Sequence, residues 1–443
     1  MMPPRKKGNS LSMAERVRRL DATHLEALSA MRALTAWPAS RPLISVVLPC
    51  FNHGSFVPEA VASVLEQTFD DIEVVLVDGG STDPDTLRVL REMNGPRTRV
   101  YLRDGRHLVG DNRNFGISRA LGKYICCLDT DDMLAPTYLE KALYLLEARG
   151  YDVVSTAIAC FGQDSSVYWV KRYPTLADMV QANEVTTCAV FRRELWDRAG
   201  GFRDTGLGEE YIYEDWRLWI RFAALGARIA NLVDEPLFRY RVHSGNVSRQ
   251  HGIRSRSDQR AAILELNSDL VDDDAFKRSE ESRGLQVSVT DPLVNLRRRG
   301  SPAAQRRTLL IAVPHLLQGS VTRALSEVVA HLGRSDYRVV LVSTLPVDPA
   351  LGDRRDWFEP CTREIYELPR FLERSLWRDF VFSLIETKDV SALWIVGSAF
   401  LHDLLPEIEA AWPLLPTLEL ELDGAVDAAA YDSAFSGLFE ETR

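Results

Sequence analysis

The chain has 443 residues, with 53 basic and 63 acidic side chains and a formal net charge of −10. This acidic balance disfavours nucleic acid as a partner, and the length leaves room for roughly three domains. The six cysteines show no metal-ligand spacing, which predicts reduced thiols. Because no apolar run is long enough to span a bilayer, we predict a cytoplasmic protein.

The N-terminal segment, residues 1–40, is predicted to be basic and to contain an amphipathic helix over residues 11–35. Apolar residues recur there at spacings of three and four, which is the helical period. The basic flank would permit weak peripheral contact with the inner face of an anionic membrane. Packing on the rest of the chain, or self-association, is the use that we favour.

Strands and helices then alternate along the chain. Ile44–Asn52 and Ile72–Asp78 read as strands, and Val57–Thr68 and Leu87–Met93 read as helices. This alternation predicts a mostly parallel sheet with βαβ crossovers. Polar residues follow each strand, and the carboxyl ends of parallel strands are where such sheets bind ligands.

The run Tyr124–Leu128 is apolar throughout and is followed directly by Asp129-Thr130-Asp131-Asp132. An uninterrupted apolar run is typical of a strand buried on both faces. Carboxylates at its end could hold a divalent cation and, through it, a diphosphate. The alternative is a loop in which an aspartate caps the next helix. Two further acidic groups, at residues 83–85 and 272–274, are interpreted as cap or turn chemistry and as a solvated run.

Two more candidates lie further along the chain. Glu214-Asp215 could supply a catalytic base, but acidic residues are also common in the first turn of a helix. His243 follows a predicted strand, and taken alone a structural histidine explains it as well as a ligand does. These alternatives stay open on the residues alone.

Seven motifs follow one another over about half of the chain: Ser45–Asn52, Ser63–Thr68, Glu73–Asp83, Arg113–Ile117, Leu128–Asp132, Glu214–Trp216 and Tyr240–His243. As an ordered set they resemble the family 2 glycosyltransferases of the GT-A fold.

The resemblance implies a role for each of five residues. Asp78 would contact the nucleotide base and Asp129 the ribose, while Asp131 would hold Mg²⁺ or Mn²⁺ on the diphosphate. Asp215 would be the catalytic base, and His243 would reach the metal or the phosphates. The expected donor is a nucleotide-sugar, with a UDP-sugar favoured, and the expected acceptor is a carbohydrate or a lipid-linked molecule.

Further residues complete the predicted site. Pro49, Asn52 and Arg113 are expected on the donor side, where a fixed cation near a diphosphate would be useful. Glu214 and Trp216 are expected on the acceptor side, since aromatic faces commonly pack against sugar rings. A single base opposite the leaving group would give direct displacement, which inverts the anomeric carbon.

The second half of the chain is expected to differ. Residues 251–305 read as a polar linker with some helix, and residues 306–443 resume a doubly wound α/β pattern. Residues 311–320 resemble the start of a family 4, GT-B-type glycosyltransferase, so we expect a partial GT-B-like, Rossmann-type domain there. The GT-A domain itself is placed at residues 41–250.

The sequence therefore predicts an inverting, metal-dependent glycosyltransferase of polysaccharide or glycoconjugate assembly. Its fold is expected to be α/β, with a mostly parallel central sheet followed by a smaller Rossmann-like unit. The alternative is a non-catalytic carbohydrate-binding or scaffolding protein on a degenerate GT-A domain, and donor hydrolysis would separate the two.

Overall fold

A computed structural model describes most of the chain. The described residues are 36–205, 213–246, 256–284, 293–296, 307–334, 337–347 and 351–420. The amphipathic helix predicted for residues 11–35 lies outside them.

A seven-stranded sheet forms the centre of the first half, with strand order β10-β6-β9-β4-β1-β2-β3. All of its strand pairs are parallel except those of β9, which runs antiparallel to β4 and β6. The predicted mostly parallel central sheet is thus confirmed. Its strands are β1 Ile44–Cys50, β2 Ile72–Asp78, β3 Thr98–Leu102, β4 Tyr124–Cys127, β6 Val153–Thr156, β9 Val190–Arg192 and β10 Ile229–Leu232.

The central strands are buried because most of their side chains are apolar on both faces. Every residue of β1, β2 and β4 is buried, as expected for a sheet covered by helices on both sides. The helices of this half are α1 Val57–Leu65, α2 Pro84–Glu92, α3 Val109–Arg119, α4 Tyr138–Ala148, α5 Leu176–Gln181, α6 Arg193–Ala199 and α7 Glu214–Ala224. Among the described residues, no helix is both long and apolar enough to cross a membrane.

A second, four-stranded sheet lies beside the first, in the order β5-β11-β7-β8. Strand β11 is an interior strand of this sheet, since it pairs with β5 on one side and with β7 on the other. The sheet matters for the site because β5 begins directly after the carboxylate run. Its strands are β5 Met133–Leu134, β7 Ile158–Gly162, β8 Val167–Tyr168 and β11 Phe238–Val242.

The C-terminal part forms a third sheet of five parallel strands, in the order β14-β13-β12-β15-β16. This confirms the expected second α/β unit. Its strands are β12 Arg307–Val313, β13 Tyr337–Ser343, β14 Ile365–Glu367, β15 Val390–Val396 and β16 Thr417–Leu420. Its helices are α10 Ser320–Arg334, α11 Leu368–Phe371, α12 Trp377–Thr387 and α13 Ala399–Ala411.

Two helices lie within the part of the predicted linker that the structure describes. They are α8, Arg256–Leu266, and α9, Asp273–Gly284. Both pack on the first half: Arg217 donates to the carbonyl of Leu266 at 3.0 Å, and the hydroxyl of Ser279 accepts from the backbone of Leu176 at 2.8 Å. These two helices therefore add a layer over α5 and α7.

Helix α4 joins the two halves through buried charge. Lys141 pairs with Glu235, and Glu235 also accepts from Arg355 at 2.8 Å. Glu140 accepts from the hydroxyl of Tyr366 at 2.5 Å. Burial alone would raise the pKa of Glu235, but the charges of Lys141 and Arg355 outweigh it and lower the pKa to about 2. An unpaired buried charge is destabilising. The C-terminal unit therefore stabilises Glu235 and Glu140, two carboxylates that the first half buries.

This junction can be tested with two arginines that both reach from the C-terminal unit to a glutamate of the first half. Arg355→Ala should lower the free energy of unfolding by roughly 2–3 kcal/mol, because Glu235 is buried and loses a charged donor. Arg363→Ala is the matched control: its pair with Glu66 is about half exposed, at 51% and 52%, and such pairs contribute about 0–1 kcal/mol. Equal losses in denaturant titrations would contradict a stabilising role for the buried pair.

Candidate active site

The carboxyl ends of β1, β2 and β4 are adjacent because these strands are neighbours in the central sheet. The sequence leaves each strand with a polar residue at that edge: Asn52 after β1, Asp78 at the end of β2 and Asp129 after β4. The sheet therefore brings together side chains that are up to 77 residues apart in the sequence.

Asn52 shapes the loop after β2 through its backbone and its side chain. It adopts a left-handed conformation with φ of 55°, which asparagine tolerates better than most residues. Its Oδ1 atom accepts from the backbone N–H groups of Thr82 and Asp83 at 2.9 and 3.0 Å. Asp83 in turn caps α2 by accepting from Thr86, which confirms the cap chemistry predicted for this acidic group.

Asp78 is buried and turned into its own loop. Both of its carboxylate oxygens lie 3.1 Å from the backbone nitrogen of Ser81, which donates to them. It also lines a cavity of about 700 Å³, together with Phe51, Asn52 and the loop around Arg106. The guanidinium of Arg106 lies 4.5 Å from the centre of the Phe51 ring. The cavity is thus bounded by a carboxylate, an aromatic ring and a cation, within the usual size range of small-molecule sites.

Arg113 links the carboxylate run to the start of α7. Its side chain is 2% exposed, and it donates to Asp129 at 2.7 Å and to Glu214 through its other terminal nitrogen. Burial opposes its charge, but the two carboxylates outweigh that effect and raise the pKa of Arg113. Arg113 is therefore a permanent cation that fixes Asp129 relative to Glu214, two residues that lie 85 positions apart.

Glu214 and Asp215 share this buried environment. Burial raises the pKa of Glu214 to about 7, against the lowering effect of the Arg113 charge. Burial raises the pKa of Asp215 too, although Arg113 and hydrogen bonds from Trp216 and Thr187 oppose it. A carboxylate with a raised pKa is a stronger proton acceptor near neutral pH.

The carboxylate of Asp215 is held in a fixed orientation. The backbone N–H of Trp216 donates to one oxygen at 2.7 Å, and the hydroxyl of Thr187 donates to the other at 3.0 Å. The side-chain amide of Asn183 lies 3.4 Å from the same oxygen as Thr187. Two of these three donors thus come from the segment before β9, and the third is the backbone of α7.

Asp131 and His243 meet although 112 residues separate them. The Nε2 atom of His243 lies 2.9 Å from Oδ2 of Asp131, and Nδ1 of His53 lies 4.0 Å from the same oxygen. The two histidine rings are 5.6 Å apart, centre to centre. Strand β11 produces this meeting, because it pairs with β5 and ends one residue before His243.

The third carboxylate of the run has a different environment. Asp132 is 1% exposed, and its Oδ1 atom accepts from the backbone N–H of Arg241 at 2.8 Å. Arg241 also donates to the carbonyl of Asp131 at 2.8 Å. Asp132 therefore fastens β11 to the end of β4, while Asp129 and Asp131 face Arg113 and the histidines.

Two of the predicted site residues lie back from this cluster. Trp216 is 6% exposed and its indole N–H donates to the carbonyl of Met179, so its ring packs inside the helical layer and is not presented to an acceptor. Pro49 lies within buried β1 and contributes its carbonyl, which accepts from the hydroxyl of Thr130 at 3.3 Å.

Three residues at the site were missed by the sequence analysis: His53, Asn183 and Thr187. His53 follows Asn52 directly, so its place just after a strand end was a usable signal. Asn183 and Thr187 lie in an irregular stretch between α5 and β9, where no periodicity marks them. Their position beside Asp215 depends on how that stretch folds.

Parts of this chain are similar to known proteins. Residues 45–199 match the family described as Glycosyl transferase family 2. This chain is a glycosyltransferase with a family 2 domain. An uncharacterized glycosyltransferase from Haemophilus influenzae is 25% identical over 221 residues, which are 47% of this chain and 68% of that protein.

Two other proteins similar to this glycosyltransferase have more specific names. A UDP-Glc:alpha-D-GlcNAc-diphosphoundecaprenol beta-1,3-glucosyltransferase from Escherichia coli is 27% identical, over 46% of this chain and 80% of its own. Among solved structures, Staphylococcus aureus TarS 1–349 in complex with UDP-GlcNAc aligns with a TM-score of 0.45 at 18% identity, covering 54% of this chain and 70% of that one.

Gly80 provides a test of the loop that borders the cavity. It has φ of +85°, and a Cβ atom added there would lie 1.8 Å from the backbone oxygen of Gly105. Gly80→Ala should therefore lower the free energy of unfolding by about 1–3 kcal/mol through backbone strain and collision. Gly95→Ala is the control, because a Cβ there meets nothing within 4 Å. If both variants unfold at the same denaturant concentration, the close approach of the two loops is not a constraint.

Proposed function

We propose that this glycosyltransferase moves a sugar from a nucleotide-diphosphate donor to a hydroxyl acceptor in polysaccharide or glycoconjugate assembly. The transfer uses a divalent cation and inverts the anomeric carbon. The observation that carries the proposal is the meeting of Asp131 with His243, at the same sheet edge as the cavity lined by Asp78. Asp131 and His243 can serve the diphosphate, while the cavity lined by Asp78 can receive the nucleoside.

A UDP-sugar is the proposed donor. The cavity offers Asp78 as an acceptor for a base N–H, with the Phe51 ring and the Arg106 cation beside it. Asp129, which is one-third exposed and fixed by Arg113, would contact the ribose. The similar Escherichia coli protein is named for UDP-Glc, which supports the same nucleotide here. Asn52 and Pro49 contribute by shaping the loop and the strand that border the cavity.

The residues around Asp131 fit Mg²⁺ or Mn²⁺. A carboxylate with one imidazole at 2.9 Å and a second at 4.0 Å is a donor set of suitable chemistry. Within the described part of the chain no three such groups form a ready-made cage. The proposed cation would therefore complete its coordination with substrate phosphates and water. When bound, the cation would neutralise charge on the leaving diphosphate.

Asp215 is the proposed base. Its raised pKa, with Thr187 and Asn183 holding one oxygen, suits a carboxylate that removes the proton of the attacking hydroxyl. Glu214, neutralised by Arg113, would position the start of α7. A single base that forms no covalent intermediate gives inversion of the anomeric carbon, as in the inverting glycoside hydrolases.

The two halves are proposed to differ in role. We assign donor binding and transfer to a GT-A domain at residues 41–250, between the basic segment 1–40 and the segment 251–305. Residues 306–443 would form the Rossmann-type unit, and their resemblance to the start of a family 4 enzyme remains a prediction. Its five parallel strands support the Rossmann-type assignment, and its buried contacts with α4 support a structural role.

The metal assignment is tested at Asp131. Asp131→Ala should reduce Mn²⁺-dependent hydrolysis of a UDP-sugar by on the order of 10²-fold, because the cation loses its carboxylate. Thermal unfolding should stay within a few degrees of the wild type. Asp379→Ala is the control, since that carboxylate is 54% exposed beside Arg378 on α12. Wild-type turnover that is insensitive to EDTA would contradict the assignment of Asp131 as a metal ligand.

The base assignment is tested at Asp215. Asp215→Asn keeps the size of the side chain but removes its basicity, so transfer should fall by on the order of 10²–10⁴ while donor affinity changes little. In the wild type the rate should fall as the pH drops through the raised pKa of Asp215, because the protonated carboxyl cannot accept a proton.

A control variant, the configuration of the product and the hydrolysis of the donor complete this test. Asp85→Asn, at an 86% exposed carboxylate on α2, should leave transfer unchanged. A product with retained anomeric configuration would refute single displacement. If neither the wild type nor the control hydrolyses any nucleotide-sugar with Mn²⁺, the non-catalytic, carbohydrate-binding alternative stands instead.

A further inference from the structure

One face of helix α3 contacts the segment that leads to the proposed base. Gly110, Arg113 and Asn114 are three and four residues apart, so they lie on the same side of this helix. Residues 201–205, which have no regular secondary structure, are bonded to that side. Because Asp215 lies further along the same segment, in the first turn of α7, these contacts bear on its position.

Asn114 is bonded to this segment through both of its polar atoms. Its Oδ1 atom accepts from the indole N–H of Trp196 and from the backbone N–H of Phe202, both at 2.9 Å. Its Nδ2 atom donates to the carbonyl of Phe202 at 2.7 Å. Gly201 permits this close approach, since it has φ of +72° and a Cβ atom added there would lie 2.8 Å from Oδ1 of Asn114. Asn114 therefore fixes the backbone of Phe202 at its N–H and at its carbonyl.

Phe202 carries this constraint to Arg113 and to α7. Its side chain is buried, and the guanidinium of Arg113 lies 5.4 Å from the centre of its ring. The Nε atom of Arg113 is buried and has no hydrogen-bond partner among the described residues, so the ring supplies a favourable contact for this cation. The ring of Trp219, on α7, lies 6.3 Å from that of Phe202. One side chain thus contacts both the cation that pairs with Glu214 and the helix that carries Asp215.

Asp204 holds the same segment at a second point. Its two carboxylate oxygens accept from the backbone N–H groups of Gly110 and Asp111, each at 2.8 Å. These groups begin α3, where the preceding residue, Leu108, has no polar side chain to cap them. A carboxylate is favourable there because it satisfies free N–H groups and complements the helix dipole. Residues 201–205 are therefore attached to α3 through both Phe202 and Asp204.

The start of α7 depends on such contacts because it lacks a local cap. No side chain caps α7 at Tyr213, whereas Thr175 and Asp178 form a capping box at the start of α5. The donors to the side chain of Asp215 include Asn183 and Thr187, which lie outside α7. Tertiary contacts therefore decide where this carboxylate lies, and a displacement of about 1 Å can slow an enzymatic reaction by about 10²-fold.

We propose that Asn114 and Asp204 are positioning residues for the base, Asp215. By holding residues 201–205 against α3, they keep the start of α7 at a fixed distance from the donor side of the site. They act through the base and touch neither donor nor acceptor, so their loss should slow the chemical step and leave donor binding unchanged. The inference rests on the proposed function for the role of Asp215.

The test uses the full chain with a UDP-sugar, Mn²⁺ and water as the acceptor, whose proton Asp215 would remove. Asn114→Ala should lower kcat by about ten-fold through misplacement of the base, while the Kd for UDP with Mn²⁺, from titration calorimetry, changes by less than about two-fold. Asp204→Ala should act in the same direction. Asp204→Asn keeps one acceptor oxygen and should retain part of the activity that Asp204→Ala loses.

Two control variants remove comparable hydrogen bonds far from this segment. Asn94→Ala removes an exposed asparagine that accepts from the backbone N–H of Val100 at 3.4 Å, and Ser398→Ala removes the cap of α13 in the C-terminal unit. Both should keep the kcat of the wild type. An equal fall of kcat in either control would overturn the proposal, as would a joint loss of kcat and UDP affinity in Asn114→Ala, because general damage would explain them.

A double-mutant cycle separates positioning of the base from a merely structural role. If Asn114 acts through Asp215, then Asn114→Ala should lower kcat by less than about two-fold in the Asp215→Asn background, where the base is already absent. A further ten-fold loss in that background would overturn the proposal. All assays are made below the thermal unfolding transition of each variant, so unfolding does not contribute to the losses.

Hydrogen exchange without substrate tests the same contacts independently of activity. The backbone amides of residues 213–219 should exchange faster in Asn114→Ala and in Asp204→Ala than in the wild type, because the first turn of α7 would open more often. Exchange at the wild-type rate in both variants would overturn the proposal. If the wild type hydrolyses no nucleotide-sugar, the proposed function fails, and the exchange rates still show whether these two residues hold the start of α7.

Discussion

The buried guanidinium of Arg113 is the interaction on which the rest of the site depends. It lies on α3, between the end of β4 and the start of α7, and it is paired with Asp129 and Glu214. A buried cation is tolerated only where carboxylates surround it. Glu214 is also buried, so its negative charge in turn requires the Arg113 cation. In our proposal, one residue therefore fixes the donor side and the catalytic base relative to each other.

The carboxylates after β4 show how neighbouring residues of one type acquire different properties. Asp129 faces a permanent cation, Asp131 faces two imidazoles, and Asp132 is buried against the backbone of Arg241. Their order along a tight turn directs each to a different partner. In our proposal only Asp131 holds the cation, and Asp132 keeps β11, with His243 at its end, beside it.

The C-terminal unit is joined to this arrangement more closely than a flexible tether would allow. Glu235 lies three residues before β11 and is shared by Lys141 from the first half and Arg355 from the second. Tyr366 and Lys388 of the C-terminal unit pair with Glu140 on the same helix as Lys141. The strand that leads to His243 thus begins beside an ion cluster that both halves build, so the unit contributes to the stability of the site's surroundings.

The main strands of both α/β units, and the residues at their carboxyl ends, can be predicted from the sequence. Buried parallel strands leave long apolar runs, and polar residues follow those runs directly. Helix boundaries shifted by a few residues: the helix predicted over Val57–Thr68 ends at Leu65. Asn52, Asp78, Asp129 and Asp131 could be found in this way, since each position depends on local pattern alone.

The way in which these residues combine depends on the fold and could not be predicted. The pairing of Arg113 with Glu214 and of Asp131 with His243 spans more than 100 residues, and no local period encodes such distances. Trp216 was expected near an acceptor from its neighbours in sequence, but α7 turns its ring into the helical layer. The buried charges at the junction with the C-terminal unit could not be predicted for the same physical reason. A charged residue is expected on the surface unless a partner is known, and these partners are distant in the sequence.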